Sequence, residues 1–183
     1  EFRYFSFDLI YSRLKQNEHL LIDDWENEII LYISKNLEIY RQLTDDKMKI
    51  VSLVSMLELL IAHNPNSSRY NVEDSIRRQF SNKIMIILYL NSLVKEPDNL
   101  EKLLLFIYDL RSCIAHGNFN EISSSCKKIY QWLLNNDKNF TTNNSKFDEK
   151  SVLDYINLLL RKYFRVVLRH YLSDKKLFQI LKK

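Results

Sequence analysis

The stretch Pro97-Asp98-Asn99-Leu100-Glu101-Lys102-Leu103-Leu104-Leu105-Phe106-Ile107-Tyr108-Asp109-Leu110-Arg111-Ser112-Cys113-Ile114-Ala115-His116-Gly117 carries its own start and stop signals. Proline suits the first turn of a helix, where its missing N–H has no partner to lose, and Asp98 beside it favours the positive end of the helix dipole. Leu100, Leu103, Leu104, Ile107, Tyr108 and Ile114 recur at helical spacing, which predicts one buried stripe. Gly117 is the residue a helix end selects at C′, because it accepts left-handed backbone without a Cβ clash. It is also the only glycine in 183 residues, which include just two prolines. Hairpin turns, dinucleotide-binding loops and phosphate loops need glycine where φ is positive or where backbone must approach a ligand. One glycine therefore leaves an all-α chain.

Working outward, the same periodicity fills the rest of the sequence. Residues 24–43 form an amphipathic helix behind the acidic pair Asp23-Asp24, with Trp25, Ile29, Tyr32, Ile33, Asn36, Leu37 and Tyr40 on its repeating positions. Asp45-Asp46 cap a helix over 47–62, whose apolar positions are Ile50, Val51, Leu53, Val54, Leu57 and Leu60. His63-Asn64-Pro65-Asn66-Ser67-Ser68 reads as a loop. Asn71, with Asp74 at the capping-box position, opens a helix to about Ser92 through Ile76, Phe80, Ile84, Ile87 and Leu88. Residues 121–135 form another helix, 137–147 a polar loop, and Asp148 opens a long helix through Tyr171, after which Ser173 or Asp174 caps a last turn. Residues 2–20 mix alternation with helical spacing and read as an extended arm leading into a short helix. A chain of this length is expected to form one domain, a bundle of about six to seven helices.

Charge and cysteines bound the surroundings. The net charge of +4 and a pI near 8.9 permit nucleic acid as a partner without requiring it. Cys113 and Cys126 form neither a CxxC nor a Cys/His cluster, so reduced thiols in a cytoplasmic protein are expected, with no zinc site. The longest apolar run, 84–90, falls far short of the ~20 residues a membrane span needs. The sequence opens Glu1-Phe2-Arg3 without methionine, so a start inside a longer protein is expected.

Chemistry centres on the end of the quoted stretch. His19, His63 and His170 have ordinary structural readings, and no HExxH, GxSxG or carboxylate-rich metal cluster occurs. Arg111 and His116 are five positions apart, about 140° around a straight helix, so they meet only if the last turn loosens at Gly117. A purely structural reading fits the same residues: Gly117 caps the helix, His116 faces the negative end of its dipole, and Arg111 is solvated or ion-paired.

Arg111-x4-His116-Gly117, preceded by Tyr108-Asp109-Leu110 and a leucine-rich helix, resembles the Arg-x4–6-His signature of HEPN domains, most closely the Apea-like HEPN branch. Val51-Ser52-Leu53-Val54-Ser55-Met56-Leu57-Glu58-Leu59-Leu60 is similar to that branch's "LEaLl"-type helix, and 76–88 to the helix that follows it. The match spans about residues 47–171; residues 1–43 lie outside it as an arm and a helix packed on the HEPN-like bundle of 44–183.

The resemblance implies a dimerising helical bundle with endoribonuclease activity that needs no metal or other cofactor. Arg111 and His116 become the catalytic candidates, Glu58 the acidic residue on the neighbouring helix, and Ser112 and Asn118 supporting positions. It further implies RNA as substrate, a homodimer, a prokaryotic defence, toxin or stress-response setting, and further domains or subunits of a defence complex. Other HEPN domains are catalytically silent scaffolds, and a nucleotide-sensing role uses the same positive cleft. Toxin members tend to carry Arg-x4-His-x-Tyr; Asn118 and Phe119 stand after this histidine, with no phenolic hydroxyl to modify. Ser112 stands where many members have a larger polar residue.

Arg161, Arg165 and Arg169, at i, i+4 and i+8 with Lys162 and His170 beside them, form a basic stripe interleaved with Tyr163, Phe164 and Tyr171. It is expected either as a solvated face over buried aromatics or as an RNA contact bordering the Arg111–His116 cleft. Arg77-Arg78 are expected on the surface.

Overall fold

A computed structural model describes residues 24–62, 75–93, 97–140 and 146–181. Among these residues there are seven helices and no strand: α1 (Asp24–Gln42), α2 (Asp46–Ile61), α3 (Ile76–Leu90), α4 (Pro97–Ala115), α5 (Phe119–Asn136), α6 (Glu149–Ser173) and α7 (Lys175–Leu181). The arm at 2–20, His19, His63, and the Asn71/Asp74 cap lie outside the described residues; the described cap of α3 is Ser75, whose Oγ accepts the Arg78 N–H.

Aspartates start α2, α6 and α7 as their spacing predicts. Asp45 Oδ1 accepts the Met48 N–H at 2.8 Å, Asp148 accepts from Lys150 and Ser151, and Asp174 Oδ1 accepts from Leu177 at 3.0 Å. Each satisfies a first-turn donor that has no partner within its helix.

Helix α2 is central, packing on α6, α4, α1 and α3. Four neighbours bury more than a narrow stripe, so Ile50, Leu53, Val54, Met56, Leu57, Leu60 and Ile61 are all buried. Asn157 of α6 donates to the Asp46 carbonyl at 3.0 Å, and buried Lys83 of α3 donates to the Ile61 carbonyl at 3.2 Å. Both ends of α2 are thus held by side chains from neighbouring helices. Tyr130, Phe140, Phe147 and Tyr155 close the far side of the core with their rings packed edge to face. On α1, Ile30 and Ile33 enter the core, whereas Tyr32, on the same helical repeat as Ile33, is 57% exposed. No described helix is long and apolar enough to cross a membrane.

Candidate functional site

Ser52, Ser55 and Glu58 interrupt the apolar run of α2 every third residue, which lines them along one side of the helix. Helix α4 packs there. Arg111, anchored beside buried Leu110, donates through Nη2 to Glu58 Oε2 at 2.9 Å and to Ser55 Oγ at 3.3 Å. Its guanidinium carbon lies 5.7 Å from the centre of the Tyr108 ring, one turn earlier on α4. Tyr108 stacks obliquely on Phe80, with ring centres 5.4 Å apart. Burial, followed by its hydrogen bond to Glu58, pushes the Tyr108 hydroxyl up to about 12. Glu58 is therefore shared by an arginine and a tyrosine of the same helix.

The pair is only partly open to water, with Arg111 and Glu58 side chains 23% and 16% exposed. Arg111 Nε is buried and has no hydrogen-bond partner among the described residues. A desolvated donor of this kind is uncommon in a structural ion pair. It lies at the wall of an open cleft of about 780 Å³ between α1, α2 and α4, into which Tyr108, Ser55, Glu58 and Arg111 face α1.

Asp109, between Tyr108 and Leu110, turns to α3 and accepts from Arg77 Nε at 2.7 Å and Nη2 at 2.8 Å. Arg77 lies on the surface as expected, and there it forms a bidentate bridge between α3 and α4 with both side chains over 40% exposed. Asp109 and Arg111, two positions apart, thus fasten α4 to α3 and α2.

His116 is placed differently. It caps α4, its N–H donating to the Ser112 carbonyl at 3.0 Å, while Gly117 N–H reaches Ile114 and Asn118 N–H reaches Cys113. With Gly117 at φ +71°, this is a Schellman end. The His116 side chain is exposed, has no hydrogen-bond or ion-pair partner among the described residues, and does not line the cleft. Within one chain the structure brings Arg111 to Glu58 but leaves His116 outside their cleft. Ser112 is partly buried; Asn118 is exposed ahead of α5, and its side chain caps nothing.

No protein-family model, curated protein or solved structure matches the chain. The geometry of its own residues is what supports a functional reading.

The basic stripe lies on α6, away from the cleft. Arg161 Nε donates to the Asn157 carbonyl at 3.3 Å, Arg169 Nη2 donates to Asn91 Oδ1 at 3.1 Å, and Arg165 is exposed. Tyr163, Phe164 and Tyr171 point into the core, and none of the three arginines lines the cleft. His170 Nε2 sits 2.8 Å from the same Asn91 oxygen, and burial first, then Arg169, holds its pKa below the ordinary histidine value.

Ser55 and the Arg77–Asp109 bridge were missed from sequence. The three-residue recurrence of Ser52, Ser55 and Glu58 was the available signal for Ser55. Arg77 and Asp109 are 32 residues apart, and nothing in their local spacing pairs them.

Proposed function

We propose that the chain is a metal-independent endoribonuclease of HEPN type that acts as a homodimer, with Arg111 and His116 as its reacting pair, in a prokaryotic defence or stress-response system. One observation carries the reading: Arg111 and Glu58, 53 residues apart in sequence, lie 2.9 Å apart at the wall of an open cleft. The resemblance expects this acidic residue on the helix that neighbours the arginine.

In the proposed reaction the 2′-oxygen of a ribose attacks the adjacent phosphorus. The O2′–P bond forms, the P–O5′ bond breaks, and the products carry a 2′,3′-cyclic phosphate and a 5′-hydroxyl. Histidine suits both proton transfers at neutral pH: one imidazole takes the 2′-OH proton, and a second, protonated, gives one to O5′. Two protomers supply two copies of His116. Arg111 supplies permanent positive charge for the phosphorane, and its hold on Glu58 fixes the guanidinium in place. The exposure of His116, together with Phe119 three positions later at 72% exposure, favours a two-fold contact through this corner.

A second reading, a silent HEPN-like dimerisation module, is favoured by the engagement of Arg111 Nη2 with Glu58 and by the position of His116 outside the cleft. End-labelled RNA incubated with the protein in EDTA separates the two. The ribonuclease reading expects fragments ending in cyclic phosphate and no cutting where the scissile nucleotide is 2′-deoxy. Intact RNA at stoichiometric protein favours the silent module.

A further inference from the structure

The Arg111 cleft has a third wall, α1, which the reaction does not use. Helices α1 and α2 are joined by residues 43–45 and so run antiparallel. Helix α1 brings Glu28 and Tyr32, α2 brings Ser55 and Leu59 with Ala62 at its C-cap, and α4 brings Arg111. All of these residues line the cleft.

The wall pairs a broad aromatic face with a carboxylate. Tyr32 is 57% exposed, an unusual amount for a large aromatic side chain in a concave site. Glu28 is exposed and has no hydrogen-bond or ion-pair partner among the described residues. Leu59 and Ile76 add apolar surface beside it. The cleft volume, about 780 Å³, is ample for a nucleoside.

We infer that Glu28 and Tyr32 form a guanine-recognition subsite, Tyr32 stacking the base and the Glu28 carboxylate accepting its N1–H and N2–H, with the adjoining phosphate at Arg111. This rests on the RNA-cleaving reading and names its substrate preference. The chemistry selects one base. An ionised carboxylate only accepts, and guanine alone presents two adjacent donors on its Watson–Crick edge. Adenine and cytosine place a ring-nitrogen acceptor beside their amino group, and uracil flanks its N3–H with two carbonyls, so each sets an acceptor against the carboxylate. Stacking on Tyr32 would hold any base and would leave the choice to Glu28.

The test has a binding arm and a cleavage arm. Calorimetric titration with guanosine 3′-monophosphate and adenosine 3′-monophosphate should show guanine bound about 10- to 100-fold more tightly, the range expected for hydrogen bonds to a charged group. Glu28→Gln should abolish that preference, and Tyr32→Ala should weaken both nucleotides alike. In parallel, cut sites in a mixed-sequence RNA should cluster at guanosines for the wild type and spread over all bases for Glu28→Gln, which leaves Arg111 and His116 intact. Cleavage without base preference overturns the subsite while the ribonuclease reading stands. Guanine-selective binding lost in Glu28→Gln, with no cleavage of any RNA, supports the subsite and refutes the ribonuclease. Equal or absent binding of both nucleotides overturns the subsite whatever the RNA shows.

Discussion

Glu58 Oε2 lies 2.9 Å from Arg111 Nη2, and after burial the same carboxylate helps raise the Tyr108 hydroxyl, so one side chain of α2 acts on two side chains of α4. Removing it strands a largely desolvated cation and a phenol together. Glu58→Ala is expected to lower unfolding free energy by about 1–3 kcal/mol, less than the roughly 3–5 kcal/mol for breaking a fully buried pair because water still reaches it. Denaturant titration measures this. Ultraviolet titration of Glu58→Gln should show the Tyr108 hydroxyl ionising below about 12, since burial remains but the anionic partner is lost.

Helix ends give a paired test. Gly117 sits at φ +71° and Ser92 at φ +54°, the second without glycine's freedom. A Cβ at Gly117 would meet only the Phe119 ring, at 3.8 Å, so the cost of Gly117→Ala is backbone strain, about 1 kcal/mol. Ser92→Gly relieves the same strain but loosens the unfolded chain, a net gain of about 0.5 kcal/mol. Thermal melts should move in opposite directions for the two variants.

Stability should fall on both sides of neutral pH, for different groups. The Cys126 thiol is pushed by burial from 9.0 up to about 12, so the native state keeps its proton longer than the unfolded chain. Its contribution is full below pH 9 and lost as pH rises toward about 12, and Tyr108 adds a loss of the same sign above pH 10. His170 is held below 6.5, so its contribution is full above that pH and lost as pH falls beneath it. Unfolding free energies across this range should be flatter on the acid side in His170→Gln. A thiol reagent at pH 8 should modify Cys113 in the native protein and reach Cys126 only after unfolding, because Cys126 is 0% exposed.

The fold was legible wherever a helix carried its own punctuation. Pro97, Gly117, Asp45 and Asp148 mark local chain events, and each sits at the helix end its chemistry predicts. The site was legible only in part. Glu58 and Arg111 each stood out within their own helices, and packing joins them. His116 was named with them, but a capped, regular last turn keeps it out of the cleft, where a loosened one would have let it approach. Tyr32 falls on the helical repeat of α1, and that periodicity does not distinguish a core stripe from the wall of a cleft. The arginines of α6 followed the bland expectation, an outer face over buried aromatics.

The corner at Phe119 offers a test of assembly. If the end of α4 meets its own copy, Phe119, now 72% exposed, becomes buried in the contact. Phe119→Glu should then halve the mass seen by light scattering at micromolar concentration while leaving the helical circular dichroism unchanged. A wild type that is already monomeric at high micromolar concentration contradicts the dimer.

The most direct measurement is the rate at which cyclic-phosphate ends appear on RNA in EDTA, compared among the wild type, His116→Ala and Arg111→Lys with folding checked by thermal melts. The account predicts that His116→Ala loses about 10²- to 10⁴-fold while its melt stays unchanged. Arg111→Lys should also fail, because an ammonium keeps the charge but loses the planar fork that Glu58 orients. Equal rates in all three proteins, or cutting that persists at a 2′-deoxy nucleotide, would contradict the account.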